Sequence, residues 1–208
     1  YTTQMKERKM KSEAVLKLFR DSGALLDGHF ILSSGLHSRN YLQCARVLMD
    51  AKRASRLCKA LAGKVKQEID KEIDYVVSPA MGGVVVGYEM GRQLGVPAMF
   101  LERENGKFTF RRGFGLESIQ GRKPRVLMVE DIVTTGLSSK EAIAAIKEHG
   151  GSVVGATCLI NRSGGKAKIG VKLLSLADLE IETFKARDVP ADLKSVKAIK
   201  PGSRSLGK

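Results

Sequence analysis

Four apolar residues, Val126 to Val129, run without interruption into the pair Glu130-Asp131, and Thr134, Thr135 and Gly136 then lead into a helical pattern. A strand buried on one face alternates apolar and polar residues, whereas a strand buried on both faces reads as a continuous apolar run. Tyr75-Val76-Val77, Ala98 to Leu101, Val153 to Ile160 and Val171 to Leu176 are continuous in the same way. Between several of them lie helix-length segments, Gly83 to Leu94 and Ser138 to Glu148. Continuous strands alternating with helices predict an α/β fold, a parallel sheet covered by helices on both faces.

The flanks of this alternation add detail. Ser12 is placed to cap a first helix ending before Gly23, and Asp50 to cap a longer one in which Ala54, Leu57, Cys58, Leu61 and Val65 recur at helical spacing. A short β-rich piece, His29 to Val47, separates the two. Ser138 and Glu141 have the spacing of a capping box, and Gly150-Gly151 stops that helix. At 208 residues the chain fits one domain that buries about 70% of its unfolded surface. The predicted organisation is a single domain: residues 1–47 a first helix and small addition, 48–184 the core, and 185–208 a basic, solvated and poorly ordered tail.

Composition excludes several classes. No apolar run approaches the roughly 18 residues of a membrane span, and the lysine-rich start has no apolar core for a secretory signal, so the cytoplasm is expected and a membrane is not. The three cysteines, Cys44, Cys58 and Cys158, form neither a disulfide framework nor a paired metal-ligand pattern. The net charge of +14 raises the question of nucleic acid. Seven of the basic residues lie in Lys185 to Lys208 and the rest are spread out, with no reading motif and no tryptophan, so nucleic acid is not expected as a partner. One compact run stands apart, Arg103, Lys107, Arg111 and Arg112 among glycines in a predicted loop.

In an open parallel sheet, ligands bind at the carboxyl ends of the strands. Thr134, Thr135, Gly136, Leu137 and Ser138 can present hydroxyls and free backbone N–H groups to a phosphate at a helix N-terminus, where the helix dipole favours negative charge. Two carboxylates beside an anion site need other partners, and ribose hydroxyls or magnesium suit them. Sugar plus phosphate is the simplest common ligand. The Gly-Lys-Ser/Thr ending of a nucleotide-binding P-loop and the glycine pattern of a dinucleotide fold are both missing.

Val129 to Gly136 resembles the phosphoribosyl-pyrophosphate (PRPP) signature of type I phosphoribosyltransferases. Gly28 to Ser38, Ser78-Pro79-Ala80-Met81-Gly82-Gly83, the basic run and Leu159-Ile160-Asn161-Arg162 jointly resemble the orotate phosphoribosyltransferase family, in that family's order. The resemblance implies the type I phosphoribosyltransferase fold, with a small N-terminal hood over the base site. It also implies conversion of orotate and PRPP to orotidine monophosphate and pyrophosphate with Mg2+, in pyrimidine synthesis, by a homodimer whose lid loops are shared between subunits. It assigns PRPP to Glu130, Asp131, Ile132, Val133, Thr134, Thr135, Gly136, Leu137 and Ser138, with Arg103 and Lys107 from the lid. Thr134, Arg162 and Ser33 fall on orotate. Lys107, Asp131 and Glu130 are the expected catalytic groups, and the metal is held mainly by PRPP, near Asp131. Many family members carry lysines where Ser33 and Gly82 stand here. Transfer to another base, or PRPP sensing coupled to nucleic acid, are the competing readings.

Overall fold

The computed structural model describes residues 10–32 and 34–201. Helix α1 (Ser12–Asp21) leads into two antiparallel strands, β1 (Leu25–Ile31) and β2 (His37–Leu42), then α2 (Cys44–Leu48) and α3 (Ala51–Glu68). The core alternates β3 (Tyr75–Pro79), α4 (Gly82–Leu94), β4 (Ala98–Glu104), β5 (Lys107–Phe110), β6 (Arg125–Val133), α5 (Leu137–Glu148), β7 (Ser152–Asn161) and β8 (Leu173–Asp178). A short β9 (Thr183–Phe184), a 3-10 turn (Ala186–Asp188) and α6 (Ala191–Lys194) follow.

The main sheet has the order β5-β4-β3-β6-β7-β8. Every pairing is parallel except that of the edge strand β5 with β4. The continuous apolar runs are explained by burial on both sides. Leu127 and Val129 join a core with α1, α3 and α4, while Val126 and Met128 join a second core with α5. Successive side chains of a strand point to opposite faces, so each face takes alternate residues. A second, smaller sheet has the order β1-β2-β9.

Helix α4 shows how sequence sets the approach of the layers. Gly83, Gly87 and Gly91 lie against β3 and β4: a Cβ on Gly87 would come within 2.4 Å of Ser78 Oγ, and one on Gly91 within 2.8 Å of Ala98 Cβ. The four-residue spacing of these glycines is therefore a packing stripe.

Several local expectations are corrected. Lys11, not Ser12, occupies the N-cap of α1, and no side chain caps it. Cys44 to Val47, expected within the β-rich piece, lie in the helix Cys44–Leu48. Glu130 and Asp131 belong to β6 rather than following it. The capping box of α5 is not formed: Gly136, at φ +79°, is the N-cap, and Glu141 pairs with Arg103. The basic run begins as a β4–β5 hairpin with its turn at Asn105 and Gly106, and Arg111 and Arg112 follow it. The tail is structured as far as residue 201. Ile199 N donates to His29 O, Ile31 N donates to Ile199 O, and Arg39 holds Asp192 at 2.5 Å, so this segment straps the smaller sheet. By contrast, Asp50 accepts from Arg53 N at the start of α3 as its position predicts.

Candidate active site

The pleat of β6 separates the two carboxylates that the sequence places side by side. Glu130 shares the face of Met128 and turns toward α5, where the Ser139 hydroxyl donates to Oε2. Asp131 turns to the opposite face, toward the start of α4, and its Oδ1 accepts from Ile132 N at 2.9 Å. Burial pushes both acids above the ordinary carboxylate range; the hydrogen bonds from Ser139 and Ile132 N oppose it. Each carboxylate is held where ionisation costs desolvation, a state in which a cation or a developing positive charge is strongly favoured.

Beyond β6 the chain turns through Thr134 and Thr135, both exposed, to Gly136. Thr135 Oγ1 accepts from Leu137 N at 3.3 Å, and Lys140 N donates to Gly136 O at 2.9 Å. The early N–H groups of α5 face this turn without intrahelical partners, as at any helix start. Val133 is buried, Ile132 and Ser138 are half-buried, and Leu137 is exposed. Two segments close around the turn. Ala80 and Met81, joined by a cis peptide, lead into Gly82, whose Cα lies against the Asp131 carboxylate. From the other side Ala167 and Ile169 pack on Gly136.

Arg162 follows β7 immediately, and its N–H donates to Val133 O at 2.7 Å, fastening the end of β7 to the end of β6. Its Nε is buried and has no partner among the described residues, and burial lowers its pKa. The arginines of the hairpin differ: Arg103 pairs with Glu141 at 2.5 Å and lies over Phe108, Arg112 pairs with Glu102 at 2.8 Å, and Arg111 lies 3.8 Å from Glu104. The one arginine at the strand end of β7 is thus unsatisfied, while those of the run are engaged.

The structure brings the hairpin to α5 through Arg103 and Glu141, but does not bring Lys107 to the β6 loop. Lys107 pairs across from Glu104, is exposed, and belongs to an edge strand three places from β6, roughly 14 Å at ordinary strand spacing. Strand β4 continues from Leu101, opposite the end of β3, to Glu104. The hairpin tip therefore projects roughly 10 Å beyond the carboxyl edge of its neighbour. Ser33 lies outside the described residues. Sequence reasoning missed Ser139, whose buried hydroxyl meets Glu130 nine positions away. It also missed the contact of Ala167 and Ile169 with Gly136; the Gly-rich stretch after Arg162 was a visible signal for it.

With this geometry in view, comparison with known proteins is decisive. A phosphoribosyl transferase domain model matches residues 47–186. The orotate phosphoribosyltransferase of Parvibaculum lavamentivorans is 56% identical over 197 residues, covering 95% of this chain and 100% of that protein. That of Erythrobacter litoralis is 56% identical over 196 residues, covering 94% and 100%. This chain belongs to the orotate phosphoribosyltransferase family. The crystal structure of orotate phosphoribosyltransferase from Aeropyrum pernix is 27% identical to it, with a TM-score of 0.62 over 79% of this chain and 93% of that one. The family's parallel sheet flanked by helices is therefore the architecture on which the β6–α5 turn is mounted here, and Val129 to Gly136, which resembles the PRPP signature, spans the end of β6 and that turn.

Proposed function

We propose that this chain transfers the phosphoribosyl group of PRPP to orotate, giving orotidine monophosphate and pyrophosphate, and that Arg162 grips the orotate carboxylate. The unpartnered Arg162 guanidinium carries this reading. Orotate differs from uracil by a carboxylate, and a planar guanidinium meets a carboxylate with two parallel hydrogen bonds. A buried donor without a partner is costly in the free protein, so this position is prepared for an acceptor that arrives with the ligand. Thr134 and Ser33 are assigned to the same base.

Residues 130–138 hold the ribose and 5′-phosphate. As pyrophosphate departs, positive charge develops on the ribose ring, and Glu130 and Asp131 on opposite sides of β6 stabilise it where it did not exist in the ground state. The leaving group gains negative charge. Lys107 answers it, assisted by Arg103 once this side chain leaves Glu141.

Magnesium fits this donor set in a limited way. Among the described residues no three His, Cys, Asp or Glu side chains are placed to hold an ion, so the diphosphate must supply most of its oxygens, with Asp131 nearest. When bound, the ion neutralises diphosphate charge.

A homodimer accounts for the distance of Lys107 from its own subunit's β6 loop. Met81, Val85 and Tyr88 recur on one exposed face of α4, Met81 at 85% and Tyr88 at 69% exposure, directly beside Gly82. A second copy covering this face adjoins the site and can deliver its Lys107 there. The same reading takes the domain as a hood of residues 1–47, a core of 48–184 and a C-terminal segment of 185–208, working in the cytoplasm.

The test is a base panel with PRPP and Mg2+. Orotate consumption with matching pyrophosphate release is expected, with little turnover of uracil or adenine. Turnover of another base without orotate would overturn the assignment. For the shared lid, mixing inactive Lys107→Ala and Asp131→Asn subunits should restore roughly a quarter of the sites, because a heterodimer contains one intact combination. No recovery on mixing would place Lys107 in its own subunit's site.

A further inference from the structure

His29, in β1, is buried, and His37, which opens β2, is half-buried. Their ring centroids are 4.9 Å apart, and His29 Nε2 lies 2.6 Å from His37 Nδ1. The other ring nitrogen of His29, Nδ1, lies 3.0 Å from Val196 O. Beside this contact the chain after α6 runs along β1: Ile199 N donates to His29 O and Ile31 N donates to Ile199 O, each at 2.8 Å. His29 therefore meets the strap through both its carbonyl and its ring.

Counting protons fixes the tautomers. A carbonyl oxygen only accepts, so His29 Nδ1 carries a hydrogen, and in the neutral ring Nε2 is a bare acceptor. His37 Nδ1 must then supply the hydrogen between the two rings. That leaves His37 Nε2, which has no partner among the described residues, to take one added proton without breaking either bond. A second added proton has only His29 Nε2 to occupy. Both facing nitrogens would then carry hydrogens on like-charged rings 2.6 Å apart, and the contact cannot persist.

The surroundings do not offset that second charge. In β1, Asp27 is held by Asn40 Nδ2 at 2.5 Å; in β2, Arg39 pairs with Asp192 of α6 at 2.5 Å and with Glu182, just ahead of β9, at 3.7 Å. The adjoining segments add Lys185 after β9, the Arg187–Asp188 pair of the 3-10 turn, Lys194 in α6, and Lys197 and Lys200 in the strap. Among the described residues no carboxylate is bonded to either ring.

We infer that the His29–His37 pair is a proton-sensitive latch that holds residues 196–199 against β1 until both rings are charged. The latched state carries at most one added proton and the released state two, so falling pH favours release. The β1–β2 turn starts at Leu32, directly after the strapped Ile31, so the latch also anchors the turn that carries Ser33. Nothing in it depends on which base the enzyme uses.

Hydrogen exchange at the Ile31 and Ile199 amides tests the latch, corrected for intrinsic rates and read against Val76 N, which donates to Pro97 O in the main sheet. From about pH 7.5 to about pH 4.5, through and below the ordinary histidine range, protection at Ile31 and Ile199 should fall roughly tenfold or more while that of Val76 holds. Asp192 does not interfere, because Arg39 keeps its carboxyl below the ordinary carboxylate range. His37→Asn removes one titrating ring, and its amide can donate to neutral His29 or accept from charged His29, so protection should persist across the same range. Constant protection in the parent chain would overturn the inference. So would an equal acid loss in His37→Asn, which places the sensor elsewhere. In the parent chain alone, the loss should follow the second protonation of the pair, read from the imidazole ring signals; loss with the first would also overturn it.

Discussion

A Cβ added to Gly82 would lie 2.9 Å from both carboxylate oxygens of Asp131. Backbone at the start of α4 and a side chain near the end of β6 thus occupy adjoining space, and glycine is what permits it. A lysine cannot be introduced at this position without moving Asp131. Its absence is therefore part of how this site is packed.

Gly82→Ala should displace the Asp131 carboxylate while leaving the fold intact, since α4 is anchored by Gly83, Gly87 and Gly91 rather than by Gly82. Misplacement of a reacting group by about 1 Å costs on the order of 100-fold, so kcat should fall roughly 10–100-fold with the Tm nearly unchanged. Steady-state kinetics and thermal melts on the same preparation check both halves.

Arg162→Met separates function from stability. The side chain's buried, unpartnered Nε makes it a burden in the free protein, so replacing it with an apolar group of similar length should raise stability by about 1 kcal/mol. The same change removes the proposed carboxylate grip, and kcat/KM for orotate should drop by about 2–4 kcal/mol, roughly 30- to 1000-fold. Higher melting temperature with lost orotate turnover is the expected pair of results. A loss of stability without a change in kcat/KM would show that Arg162 is structural.

How far the sequence revealed this site depends on what kind of force placed each residue. The sheet was legible because burial on both faces leaves a continuous apolar run, and β6 was recognisable from Val126 to Val129 alone. Asp50 was legible as a cap because its partner, Arg53 N, is local. Ser138 and Glu141 have capping-box spacing but do not form one: Gly136 takes the N-cap, and Glu141 finds Arg103 across a tertiary contact. Local spacing records what a residue can do, not the competing partner that tertiary structure brings. The opposed faces of Glu130 and Asp131 were implicit in the period of a strand, but became readable only once both were known to lie within β6. The strap formed by residues near Val196 and Ile199 had no local signal, because lysine-rich composition hid Val189 and Leu193, which are buried.

Ser139→Ala probes Glu130. Burial raises the pKa of this acid and the Ser139 hydroxyl, by donating to the carboxylate, holds it down. Losing that donor must raise it further. If ionised Glu130 is required, the acid limb of the kcat/KM profile moves to higher pH. The stability effect has the matching sign. A group whose folded pKa is raised favours folding less as pH climbs from the ordinary carboxylate range through the folded value. The variant should be destabilised by about 1–3 kcal/mol at neutral pH and by less in acid, where Glu130 is protonated and needs no donor to its charge. An unmoved acid limb would remove Glu130 from the ionisations that control catalysis.

Asp74 lies at the opposite end of the sheet from the site, between α3 and β3. Its Oδ2 accepts from Arg122 Nη1 at 2.7 Å and from Arg125 N at 2.6 Å, and its Oδ1 from Arg122 Nη2 at 3.0 Å. Arg125 also reaches Glu72 at 2.6 Å. Asp74 therefore ties the start of β3 to the start of β6, and the two guanidinium groups hold its carboxyl well below the usual range. A depressed folded pKa means that stability is fully present above the unfolded value, near pH 4, and is lost as pH falls below it toward the folded value. Asp74→Ala should cost about 1–3 kcal/mol at neutral pH, because it leaves a backbone N–H and two arginines short of an acceptor; Arg122 is partly exposed and water offsets some of this. Below about pH 4 the parent loses this contribution and the gap between the two proteins should narrow. Denaturant unfolding at pH 7 and pH 3 measures the gap directly. Since Asp74 is remote from β6's carboxyl end, the KM for orotate at neutral pH should not change, and an altered KM would mean that strain at one edge of the sheet reaches the other.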